Sequence, residues 1–170
     1  MFSGLRPLAF VLIAAALAPI AAPSVHAQGA QIDFGGMQQD TSLPVEVTAD
    51  QLSVDQANGS ATFSGNVLVG QGEMRLSAAE VQVEYTEGGG GIERLHATGG
   101  VTLANATDAA EAQEAVYTIA SGEVVMTGNV LLTQGPNAIS GQRLVINLTT
   151  GSGVMEGRVQ TVFQPGASRN

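Results

Sequence analysis

The chain of 170 residues carries fifteen carboxylates against six basic side chains, all arginine, for a formal charge of −9, and it has no cysteine and no tryptophan. An acidic chain without lysine suits neither nucleic acid, whose binding rests on basic contacts to phosphate, nor an anionic membrane surface. The lack of cysteine excludes disulfides and thiolate metal sites.

The first residues read as an address rather than as structure. Arg6 and the amino terminus give a thin positive region, an apolar run covers residues 8–20, and Val25-His26-Ala27 offers small residues for cleavage. The run is short for a membrane span, so residues 1–27 are expected to be a cleaved signal peptide, with Gln28 first in the exported chain. Its loss removes Arg6 and leaves five arginines against fifteen carboxylates, ten net negative charges. Residues 28–44 are rich in Gln, Gly and Asp without periodicity, and a flexible N-terminal arm is expected there.

From Val45 apolar and polar residues alternate, as half-buried strands require. Turn residues divide the rest into eight extended runs, about 45–55, 60–69, 73–85, 92–103, 109–120, 123–133, 138–148 and 153–163. Asn58-Gly59 predicts a type I′ hairpin. The four glycines at 88–91 predict an exposed insertion. Only residues 109–115 have a helix-forming composition, and their place in the pattern assigns them to a strand.

That pattern is a repeat. Phe63-Ser-Gly-Asn-Val67 returns as Met126-Thr-Gly-Asn-Val130, with weaker copies at Gly99-Gly100-Val101 and Gly157-Arg158-Val159. The first glycines are spaced by 34, 29 and 29 residues, and the long interval contains the glycine insertion. Such a period marks units that close their core only against neighbours. Glycine inside a strand signals a bulge, a bend or a close backbone approach. Four glycines at one level would bend every long run and fold the sheet over itself. The fold class is all-β: an open-ended, solenoid-like or jelly-roll repeat of antiparallel strands with a long apolar interior.

Parity places Phe63, Val67, Val69, Leu76, Val81, Val83, Tyr85, Val101, Leu103, Met126, Val130, Leu132, Leu144 and Ile146 on the inward face. Catalytic chemistry finds little support. His96 is the one histidine after the leader, and it sits between Leu95 and Ala97 with no cysteine or triad spacing nearby. The pairs Glu111/Glu114 and Glu84/Glu87 read as solvated. The glycine cluster lacks the Lys-Ser/Thr of a phosphate loop. Carboxylates are scattered without the repeat of calcium-binding solenoids, so neither a metal nor a cofactor is expected.

Val47-Thr-Ala-Asp-Gln-Leu52, the segment from Phe63 to Gly72, Ser77-Ala-Ala-Glu-Val81 and the segment from Met126 to Gly135 resemble the OstA-type domain of the LptA-like lipopolysaccharide-transport family. The resemblance covers residues 45–164 and leaves 165–170 as a tail. It implies a twisted, open β-jelly roll in the periplasm with no enzymatic activity. Lipid A acyl chains would ride in the apolar groove, which makes the fourteen inward residues candidate lipid contacts. Copies would assemble head to tail through edge strands at 45–55 and 153–163. Related jelly rolls, an LptC-like inner-membrane protein and an LptD-like outer-membrane protein, would meet the ends. An anchored LptC-like relative would retain its first segment, which the expected cleavage removes. A self-assembling structural solenoid without lipid, and an enzyme or carbohydrate module on the same scaffold, are the readings from other classes.

Overall fold

A computed structural model describes residues 30–33 and 37–163; the expected signal peptide and the C-terminal tail lie outside the described residues. Its strands are β1 (Ala30–Asp33), β2 (Glu46–Thr48), β3 (Gln51–Asp55), β4 (Ser60–Gln71), β5 (Met74–Tyr85), β6 (Ile92–Ala104), β7 (Asp108–Thr118), β8 (Glu123–Gln134), β9 (Asn137–Asn147), β10 (Ser152–Glu156) and β11 (Gln160–Val162). They form one open antiparallel sheet in which neighbours from β4 to β10 pair in sequence order. Both β2 and β3 pair with β4, and both β10 and β11 pair with β9. The first and last of the eight runs are therefore single strands broken at a corner. Residues 109–115 are strand, as their place in the repeat requires.

The corner has a regular construction. In β4 and β8 the inward residues on either side of it are four apart, Phe63 to Val67 and Met126 to Val130. In β7 the flanking pair Ala112 and Ala115 is only three apart. The extra residue on one strand is a β-bulge, which bends the strand and sharpens the local twist. At the bulges Gly65-Asn66 and Gly128-Asn129 take consecutive positive φ angles of 78°, 47° and 88°, 49°. Glycine adopts that conformation without strain and asparagine tolerates it, which accounts for the repeated dipeptide. Space is also limited, because a Cβ on Gly99 would fall 2.6 Å from Ala79 Cβ, and one on Gly128 would fall 2.8 Å from Gln113 Cβ. The corner glycines thus lie at one level, each beneath a side chain of the neighbouring strand.

Bent there, the sheet closes on itself as two layers. No α-helix covers it among the described residues, yet Val81, Leu103, Met126, Leu144 and Ile146 are fully buried. Direct proof of the fold-over is the Tyr117 hydroxyl, which donates to Gln71 Oε1 at 2.7 Å although β5 and β6 separate their strands in the sheet. The two residues sit at opposite ends of the long strands. The layers therefore meet along a mouth with two lips, one made by the turns at 119–122 and 148–151, the other by those at 72–73 and 105–107.

Some expectations differ from the structure. Within the stretch expected to be a flexible arm, Ala30–Asp33 pair with β10 and Met37 joins the core cluster, so β10 is not the free edge expected for residues 153–163. The Asn58-Gly59 turn is not a two-residue type I′ hairpin, because only Gly59 has a positive φ and the connection spans 56–59. Asp55 decides this by accepting from the amides of Ala57 and Asn58 at 2.9 and 3.2 Å, a local turn that displaces the tighter one.

Candidate functional site

The inward face is one continuous apolar surface carried from strand to strand. Of the fourteen residues assigned to it by parity, all but Phe63 and Tyr85 are buried. Phe63 is partly buried against the core cluster. Tyr85 is 39% exposed. Both lie toward the β2–β3 edge, where the second layer ends. Leu52 and Val54 face the same way, paired with Phe63 and Ala61, and are 54% and 60% exposed. The apolar interior thus opens at its N-terminal edge. Leu52 and Val54 extend the inward face beyond the fourteen expected residues, and their alternation with Ser53 carries the same period-two signal.

Farther along, the interior is closed. Leu95, Tyr117, Val124 and Met155 complete the buried face. The mouth is sealed by a polar knot centred on Gln71, which is buried at the end of β4. Its Oε1 accepts from the Tyr117 hydroxyl at 2.7 Å and from Gln39 Nε2 at 3.1 Å. Its Nε2 donates to the carbonyls of Thr41 at 2.9 Å and Leu43 at 2.8 Å. Both acceptor positions and both donor hydrogens of the amide are in use. Burial pushes the Tyr117 phenol up to about 12, and its bonds to Gln71 and Gln39 pull in the opposite direction. Nothing in the alternation marks Gln71 as buried; it reads as a polar residue at a turn.

Charged side chains on the outer face pair with one another within the chain. Arg94 lies 3.4 Å from Glu84, Arg143 lies 2.7 Å from Glu156, and His96 lies 3.8 Å from Glu114. Arg75 donates to the carbonyls of Gly72 and Met74. These arginines are engaged within the chain and do not form a basic clamp beside the groove.

Residues 46–152 match the family described as "LptA/(LptD N-terminal domain) LPS transport protein", well over half of the chain. The chain belongs to that family. Among its relatives, an uncharacterized protein of Rhizobium meliloti is 28% identical over 134 residues, covering 71% of this chain and 72% of that protein. The lipopolysaccharide export system protein LptA of Escherichia coli K12 is 37% identical over 60 residues, but these span only 32% of its length. The crystal structure of LptH, the LptA-homologous periplasmic component of the lipopolysaccharide transport device of Pseudomonas aeruginosa, shares the fold. It has a TM-score of 0.66 and 21% identity, over 74% of this chain and 99% of that one. Family membership places the open β-jelly roll in lipopolysaccharide transport.

Proposed function

We propose that this family member is a periplasmic bridge that carries lipopolysaccharide from the inner to the outer membrane, with lipid A acyl chains held against the inward face. The observation that carries the reading is the uninterrupted apolar interior, opened at the β2–β3 edge where Leu52, Val54 and Tyr85 are exposed. Each methylene removed from water gains about 0.8 kcal/mol, so partial cover of an acyl chain still holds it firmly. Among the described residues β2 and β3 pair only with β4, which leaves their other side to another jelly roll, either a second copy or an LptC-like or LptD-like partner. Edge-to-edge pairing of that kind extends a sheet across subunits.

Photo-crosslinking amino acids at Leu52 and Val54 test the proposal, with Ser53 on the opposite face as control. Labelling of lipopolysaccharide from Leu52 and Val54 alone is expected. Equal labelling from all three positions, or from none, leaves a structural solenoid without a lipid cargo.

A further inference from the structure

We infer that residues 37–43 form a lid across the mouth of the jelly roll, which must release before lipid can travel past it. The inference rests on the lipid-carrying function proposed above and adds a step that gates it. An amphiphile with acyl chains inside and sugars in water joins the two through the mouth. Movement along the interior therefore needs a continuous slot between the lips, and residues 37–43 cross that slot. On one lip the Gln39 amide donates to the Leu148 carbonyl at 2.9 Å, and Gln38 Nε2 donates to the Thr149 carbonyl at 2.9 Å. On the other, Gln71 holds the carbonyls of Thr41 and Leu43. Met37 plugs the core beneath.

The segment has the attachment of a part that moves. Apart from Met37 its residues are exposed or half-buried, and it belongs to no strand. Beyond Met37 it is held by a few polar bonds, to the turn at 148–151 and to Gln71, so release of residues 38–43 exposes little apolar surface. A cleft of about 240 Å³ lies between parts of it and residues 72–74 and 104–105, bridged where Gln39 Nε2 donates to Met74 Sδ at 3.6 Å. Among the described residues Gln39 Oε1 is buried without a hydrogen-bond partner. A buried acceptor left unsatisfied weakens the closed state relative to a fully bonded one. Segments with few buried contacts are those that open locally.

The chain has no cysteine, so a tether can be placed without interference. Thr41 and Thr149 flank the same point, since a Cβ on Gly122 would meet Thr149 Oγ1 at 2.6 Å and Thr41 Cγ2 at 3.3 Å. Thr41→Cys with Thr149→Cys, oxidised, pins the lid; reduction frees it. With photo-crosslinkers at Leu52 on the open edge and Val130 in the closed interior, purified lipopolysaccharide should label Leu52 in both redox states. Labelling at Val130 should be lost on oxidation and regained on reduction. Val130 labelled equally in both states, or in neither, overturns the lid while Leu52 upholds transport; an unlabelled Leu52 removes the transport reading itself. Gln38→Ala, which removes the side-chain tie of the lid to the Thr149 carbonyl and leaves Gln39 untouched, provides a test without a buried probe. It should speed lipopolysaccharide uptake, followed by native mass spectrometry, several-fold, and an unchanged rate counts against the lid.

Discussion

Gln71 ties the end of β4 to two segments distant in sequence, residues 39–43 and β7, so its replacement orphans several groups at once. Gln71→Leu leaves the Tyr117 hydroxyl and the Thr41 and Leu43 carbonyls without their partner. A loss of about 2–3 kcal/mol in denaturant unfolding is expected, against about 1 kcal/mol for Tyr117→Phe, which removes one bond and orphans less. The same pair predicts an alkaline transition. The folded phenol titrates at about 12, above the ordinary value of 10.0, because burial disfavours phenolate. A raised pKa stabilises the fold fully below 10, and that contribution is lost as pH rises from 10 through 12. Tyr117→Phe should therefore lose less stability than the natural protein between pH 9 and 12. Parallel melting curves for the two would show that the hydroxyl is not held as described.

The strands bend because each corner combines a positive φ with a close approach, and the two causes separate on β6. Gly99 and Gly100 have φ of 82° and 86°, but only Gly99 lies against Ala79; around Gly100 a Cβ meets nothing within 4 Å. Gly100→Ala should cost about 1–2 kcal/mol for conformation alone. Gly99→Ala should cost more, and Ala79→Gly should recover the excess in a double-mutant cycle. Additive costs would mean that the contact is not what requires glycine. This level of the fold was legible in advance: alternation located the runs, and the Gly-Asn repeat located the bends. Parity also named the inward face, but it cannot say where cover runs out, which is why Tyr85 was read as interior. The lid leaves no signal in the sequence because residues 37–43 have no period at all. Their position is fixed by Gln71, Leu148 and Thr149, which lie far away in sequence. The turn after β3 is hidden for a different reason, a competing Asp55 cap that a dipeptide rule does not weigh.

At the scale of the molecule, the two ends of the sheet are not equally available. Among the described residues no further strand lies beside the β2–β3 edge, whereas β10 is already paired with β1, leaving β11 uncovered at that end. Joining unlike ends is a heterologous contact that need not close, so it builds filaments rather than only dimers. A second copy that extends the sheet along β10 must first displace β1, an internal competitor for the same backbone groups. A chain shortened to begin at Met37 keeps the core residue and removes that competitor. It should grow in mass at lower concentration than the longer protein in sedimentation velocity runs. Leu52→Asp with Val54→Asp should suppress growth in both forms, because charge at an edge strand blocks pairing. The acidic surface adds a salt dependence: copies of like net charge repel, so growth should strengthen as ionic strength rises toward physiological values. Equal association with and without β1, insensitive to the paired aspartates, would place the contact between copies elsewhere than on these two edges.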